Sequence, residues 1–168
     1  MKVIILSKIN FFKFMNFNMI NDDNVEENNI MVISINDYIK NEKLEEYDKS
    51  LNYLNNSFFH KEHSNVFITR FGDYSEETIN KKDIIKDSCF SKKEAKRMVE
   101  FIKRNKDKSL AIIHCTAGIS RSGAVGTFIY EFFGHYDYFK FKRQNPTIQP
   151  NMHVLKLLRE AMYDNIIK

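Results

Sequence analysis

The sequence predicts an α/β fold: a mixed, mostly parallel central sheet of about four or five strands flanked by helices. Short apolar runs alternate along the chain with longer segments in which apolar residues recur at helical spacing. One apolar run leads directly into a loop and then a helical segment, which predicts a site at the carboxyl end of a central strand. Because 168 residues fit one domain with its own core, residues 1–168 are expected to form a single unit.

Each element is predicted from the spacing of its apolar residues. The predicted strands are residues 3–6, 30–35, 66–71 and 110–113. A capping box at Ser91 and Glu94 starts a helix that ends before a turn at 105–109. The other predicted helices are 9–17, a segment within 38–59, the segment that follows Ser122 and stops near Gly134, 136–142, and 152–166.

Composition indicates a globular protein from a reducing compartment, and we expect the cytoplasm. The net charge of +4 comes from mixed signs along the chain, so no nucleic-acid-binding patch is predicted. The two cysteines are too few for a disulfide scaffold. Lys8 and Lys13 interrupt the apolar start of the chain and no small-residue cleavage site follows, so neither a signal peptide nor a membrane span is expected.

Residues 112–123 have the pattern of a phosphate-binding loop between a strand and a helix. Backbone N–H groups of such a loop point inward, and the helix dipole adds positive charge. Cys115 starts the loop in this positive field, so its thiol is expected to ionise and act as a nucleophile. Arg121 can bind two phosphate oxygens at once, and the Ser122 hydroxyl can reach back to the sulfur. Gly118 and Gly123 permit the close backbone approach that the loop needs.

Residues 114–122 resemble the His-Cys-x5-Arg-Ser signature of the cysteine-based protein phosphatases, and more narrowly of their dual-specificity branch. Residues 145–151, Asn-Pro-Thr-Ile-Gln-Pro-Asn, resemble a second element of that family, which supports the loop. The resemblance covers the chain from about residue 66 to the last helix. It implies one catalytic domain that removes phosphate from phosphotyrosine, and also from phosphoserine or phosphothreonine, in a phosphorylated protein substrate.

The resemblance also implies the role of each site residue. Cys115 attacks phosphorus, and an aspartate protonates the leaving oxygen and later activates water. Asp73, just after the third predicted strand, is our choice for that acid, with Asp83 and Asp87 as alternatives. His114 and Asn151 are expected to support the loop, and the Asn151 side chain to bond its backbone. The phosphate is expected to contact Thr116, Ala117, Gly118, Ile119, Ser120 and Arg121. No metal or cofactor is implied.

Several alternatives stay open at the level of sequence. Within the superfamily, an RNA 5′-triphosphatase or a phosphoinositide phosphatase is disfavoured because the loop lacks the extra basic residues that suit polyanions. A phosphoprotein-binding module without catalysis would typically lack the nucleophile, the arginine or the acid. Arsenate reduction would need more cysteines than Cys89 and Cys115. Cys89 is interpreted as a partly buried thiol, although a redox partner for Cys115 is an alternative.

Overall fold

The computed structural model describes residues 1–38, 57–80, 88–135 and 137–164 of the chain. Its centre is a four-stranded sheet in the order β1-β4-β2-β3. The strands are β1 (Lys2–Ser7), β2 (Ile30–Asn36), β3 (Val66–Arg70) and β4 (Leu110–Cys115), each within a residue or two of its prediction. The α/β class with helices flanking the sheet is therefore confirmed.

The predicted mixed sheet is wrong for the described residues, because all the strand pairs there are parallel. Parallel neighbours require long crossover connections, and each stretch between successive strands is long enough to return the chain to the starting edge. The parallel register brings the carboxyl ends of three strands together. Ser7 of β1 lies opposite Cys115 of β4, and Asn36 ends β2 beside them.

The helices begin where the sequence supplies a cap. Ser7 Oγ accepts a hydrogen bond from the Asn10 N–H at the start of α1 (Lys8–Phe17). Ser91 Oγ does the same for the Glu94 N–H at the start of α3 (Lys92–Arg104). The other α-helices of the described residues are α2 (Glu76–Ile79), α4 (Arg121–Phe132), α5 (Tyr138–Gln144) and α6 (Met152–Tyr163).

Three helix predictions need correction or extend outside the described residues. The helix predicted at 136–142 lies at 138–144, because the Asp137 side chain caps the Lys140 N–H and sets its start. Most of the segment predicted within 38–59, and the end of the helix predicted over 152–166, lie outside the described residues. Gly134 follows α4 with a φ of +75°, so the predicted stop is confirmed.

The two faces of the sheet carry separate cores. Helices α3, α4 and α6 cover one face, where Ile113, Met98 and Phe128 are among the buried side chains. Helix α1 covers the other face, with Phe11, Met15 and Ile112 in its core. Alternation along β4 therefore directs Cys115 to the α3/α4/α6 face and His114 to the α1 face. None of the helices in the described part of the chain has the length and apolar character needed to cross a bilayer.

Candidate active site

Cys115 ends β4 and opens a loop, residues 115–121, that leads into α4. The side chain is buried. Its Sγ accepts a hydrogen bond from the Gly118 N–H at 3.3 Å and lies 3.1 Å from Ser122 Oγ. A serine hydroxyl at this distance can donate to a thiolate, so two donors stabilise negative charge on the sulfur.

Gly118 is required by the way the loop packs on the end of β1. Its φ is +73°, and a Cβ added there would come within 2.5 Å of the Ser7 backbone nitrogen. The Lys8 N–H also donates to the Thr116 carbonyl at 3.2 Å. The first strand and helix thus hold the loop in a conformation that only glycine can adopt at position 118.

Arg121 is almost wholly buried at the start of α4, and hydrogen bonds hold its guanidinium in place. One terminal nitrogen, Nη1, donates to the Phe71 carbonyl at 2.8 Å. The other, Nη2, donates to Thr116 Oγ1 at 3.1 Å and lies 2.6 Å from Asp37 Oδ1. Within the described residues the buried Nε–H has no partner. An unpaired buried donor of this kind is ready to bind an anionic ligand.

Asp37 is a site residue that the sequence analysis missed. Its side chain is about half exposed and accepts a hydrogen bond from Thr116 Oγ1 at 2.7 Å as well as pairing with Arg121. Burial alone would raise the pKa of Asp37, but the Thr116 hydrogen bond and the Arg121 charge together hold it below its ordinary value. Its position directly after β2, beside the end of β4, is the sequence signal that could have identified it.

Asp73 lies at the rim of the loop, which it contacts at Ser120. Its Oδ1 accepts hydrogen bonds from Ser120 Oγ and from Asn151 Nδ2, both at 2.8 Å. Its Oδ2 bonds to none of the described residues and so can face a bound ligand. The two alternative acids, Asp83 and Asp87, lie outside the described residues.

The predicted bond from the Asn151 side chain to the loop backbone is wrong. The side-chain Oδ1 instead caps α6 by accepting from the Val154 N–H, which turns Nδ2 toward Asp73 and the Tyr74 carbonyl. The backbone N–H of Asn151 makes the contact with the loop, donating to the Ser120 carbonyl at 3.1 Å. Asn151 thus connects the loop, the rim carboxylate and the last helix.

His114 lies behind the loop on the α1 face and is fully buried. Its ring stacks on Phe11 with centroids 4.0 Å apart, and Nε2 lies 2.8 Å from Ser34 Oγ. Burial, together with the nearby charges of Lys8 and Arg121, lowers the pKa of His114 to about 3. The imidazole is therefore neutral at neutral pH and serves as a buried hydrogen-bonding group.

A series of buried hydrogen bonds, called here the buried polar chain, connects His114 with Lys8 near the carboxyl ends of the strands. Ser34 Oγ accepts from Asn36 Nδ2 at 3.2 Å, and Asn36 Oδ1 accepts from Lys8 Nζ at 3.3 Å. Burial lowers the pKa of Lys8 to about 8, although the charge of Asp37 acts in the opposite direction. The sequence analysis interpreted Lys8 only as an interruption of an apolar segment, and nothing in the local pattern signals its burial.

Neither cysteine forms a disulfide within the described residues, and Cys89 is partly buried. Among the described residues, no group of three or more His, Cys, Asp or Glu side chains is arranged to hold a metal ion. No protein-family model, curated protein or solved structure matches this chain. Function is therefore inferred from the residues and their geometry.

Proposed function

We propose that this protein is a phosphatase that hydrolyses phosphate monoesters on phosphoproteins through a cysteinyl-phosphate intermediate. One observation carries the proposal: the Cys115 sulfur, held by the Gly118 N–H and the Ser122 hydroxyl, lies in the loop whose arginine has a buried Nε–H with no partner among the described residues. A nucleophile and an anion-binding donor in one short loop suit attack on a phosphate ester. The resemblance of residues 114–122 to the phosphatase signature supports the same conclusion.

The first step transfers the phosphoryl group to sulfur. The Cys115 thiolate attacks phosphorus in line, and the bond from phosphorus to the ester oxygen breaks. Asp73 donates a proton to the departing oxygen, a role that suits its Oδ2, which bonds to none of the described residues. Arg121 and the backbone N–H groups of the loop bind the other phosphate oxygens, on which charge spreads in the transition state.

The second step releases phosphate. Water attacks the cysteinyl-phosphate while Asp73 accepts its proton, and the phosphorus–sulfur bond breaks. The Ser122 hydroxyl, 3.1 Å from Sγ, stabilises the thiolate as it leaves. A free thiolate requires reducing conditions, which fits the cytoplasm. We propose phosphotyrosine as a substrate together with phosphoserine or phosphothreonine, on the strength of the dual-specificity resemblance.

Hydrolysis of an aryl phosphate across pH tests the proposal. Cys115→Ser is expected to abolish turnover. Asp73→Asn should lower kcat about 10²–10⁴-fold and remove the basic limb of the pH profile. Cys89→Ser, the matched control at the other cysteine, should keep the wild-type rate. A wild-type chain that binds phosphopeptides without hydrolysing them would instead identify a binding module.

A further inference from the structure

The carboxylate of Asp37 occupies part of the anion-binding edge of Arg121. The guanidinium has two donor edges, and Nη1 is directed at the Phe71 and Asn36 carbonyls, 2.8 and 3.5 Å away. A phosphate that binds Arg121 through two oxygens must therefore use Nε and Nη2. Nε is unpartnered among the described residues, but Nη2 already pairs with Asp37 Oδ1 at 2.6 Å.

We propose that Asp37 is an internal competitor of phosphate, a carboxylate that substrate and product must displace from Arg121 and Thr116. The inference rests on the proposed function, because it concerns the same anion site. Both carboxylate oxygens are used: Oδ1 binds the guanidinium and Oδ2 accepts from the Thr116 hydroxyl at 2.7 Å. The carboxylate thus bridges one guanidinium nitrogen and one hydroxyl, and both of these donors can also bind phosphate oxygens.

An alternative role for Asp37 is to hold Arg121 in place. The contacts instead favour competition with phosphate. Arg121 is already fixed without Asp37, by the Phe71 carbonyl at 2.8 Å and the Thr116 hydroxyl at 3.1 Å. The Arg121 side chain is only 6% exposed, whereas that of Asp37 is 47% exposed. Asp37 can therefore turn into solvent while the arginine stays, so an incoming anion displaces the carboxylate and leaves the cation in position.

The charge of Asp37 adds repulsion to this competition. Because its pKa is held below the ordinary value, the carboxylate is ionised at neutral pH, where it repels a phosphate dianion as well as occupying Nη2. After hydrolysis the carboxylate can bind Arg121 again as inorganic phosphate leaves. Asp37 is therefore expected to weaken product inhibition at the cost of substrate affinity.

Calorimetric titration with inorganic phosphate at pH 7 tests this inference. Asp37→Asn, which keeps the shape and removes the charge, should bind phosphate about tenfold more tightly than the wild type. Asp37→Ser should also bind phosphate more tightly than the wild type. This second variant keeps the test valid if the first one misfolds. Asp107→Asn removes the same charge from an exposed turn remote from the loop and should leave the dissociation constant unchanged.

The results separate this inference from the proposed function when the same samples are assayed on an aryl phosphate. Tighter phosphate binding without hydrolysis would uphold the competitor and reject the phosphatase. Normal hydrolysis with equal or weaker phosphate binding in both Asp37 variants would overturn the competitor and leave the phosphatase. Absence of phosphate binding in every chain would overturn the competitor as well.

Discussion

The two faces of the sheet differ in the polarity of the side chains that their helices bury. The α3/α4/α6 face is a continuous apolar core with Cys115 at its edge. The α1 face combines an apolar core with the buried chain from His114 through Ser34 and Asn36 to Lys8. The stabilisation from apolar burial does not depend on the orientation of the contacting groups, whereas hydrogen bonds require defined distances and angles. The first face is therefore expected to supply mainly stability, and the second to add hydrogen bonds that help to position the loop.

Met98→Ala tests the first half of this comparison and should have the largest effect on stability. Met98 is fully buried in α3, so its truncation should lower the free energy of unfolding by about 2–5 kcal/mol. At temperatures where the variant stays folded, kcat/KM for an aryl phosphate should be unchanged. Denaturant unfolding and steady-state kinetics on the same sample measure both quantities.

Met98→Leu is the matched control, because it nearly conserves volume and should cost less than about 1.5 kcal/mol. A fall in kcat/KM of Met98→Ala in proportion to its lost stability would contradict the division between the two faces. Chemistry at the loop would then depend on packing across the whole core.

The apolar elements were predictable because each is encoded locally. The capping box at Ser91 and the stripe of Ala95, Met98 and Val99 define α3 within a single segment, and all three stripe residues are buried. Strand direction is different, because it depends on how the connections return the chain to the sheet. The parallel pairing of β2 with β3 and β4 could not be obtained from the pattern of β2 alone.

The candidate site divides in the same way. Cys115, Ser122 and Gly118 are neighbours in the sequence, and a local motif was enough to place them in one loop. Asp37 and Lys8 contact the loop from the ends of other strands, Asp37 through its carboxylate and Lys8 through its backbone N–H. The Asn151 amide was assigned the wrong partner because only half of its bonding is local. Its Oδ1 caps α6 at Val154, whereas its Nδ2 bonds Asp73 and Tyr74, which are distant in the sequence and are brought there by the fold.

Ser34→Ala tests the second half of the comparison with a smaller expected effect. The hydroxyl serves both His114 Nε2 and Asn36 Nδ2, so its loss leaves two buried groups unpaired. The free energy of unfolding should fall by about 1–3 kcal/mol. Unlike Met98→Ala, this variant should also lower kcat, because the residue before Cys115 loses its fixed hydrogen bond.

Ser109→Ala provides the control for removal of a serine hydroxyl. Ser109 Oγ donates to the Asn29 carbonyl at 3.0 Å on the surface, and its loss should change stability by less than about 0.5 kcal/mol. A wild-type kcat in Ser34→Ala would show that the polar chain stabilises the fold without positioning the loop.

The smallest expected effect is the pH dependence of stability that His114 contributes. Comparison of the wild type with His114→Asn isolates this contribution. The native His114 has a pKa of about 3, whereas the unfolded residue titrates near its ordinary 6.5. Between these values the unfolded chain binds a proton that the native chain does not, so stability is complete above pH 6.5 and falls as pH decreases. Protonation of His114 in the unfolded chain should by itself lower the free energy of unfolding by about 1 kcal/mol between pH 6.5 and 5.5.

The measurement is the difference between wild type and His114→Asn in the free energy of unfolding at those two pH values. Other groups cancel in that difference, and Asp22, whose pKa is lowered to about 2 by hydrogen bonds from His63 and His60 that outweigh its burial, titrates well below this window. The wild type should lose about 1 kcal/mol more than the variant over the unit. Equal losses would mean that His114 takes up its proton in the folded state, and the buried polar chain would then have to admit a charge beside Lys8.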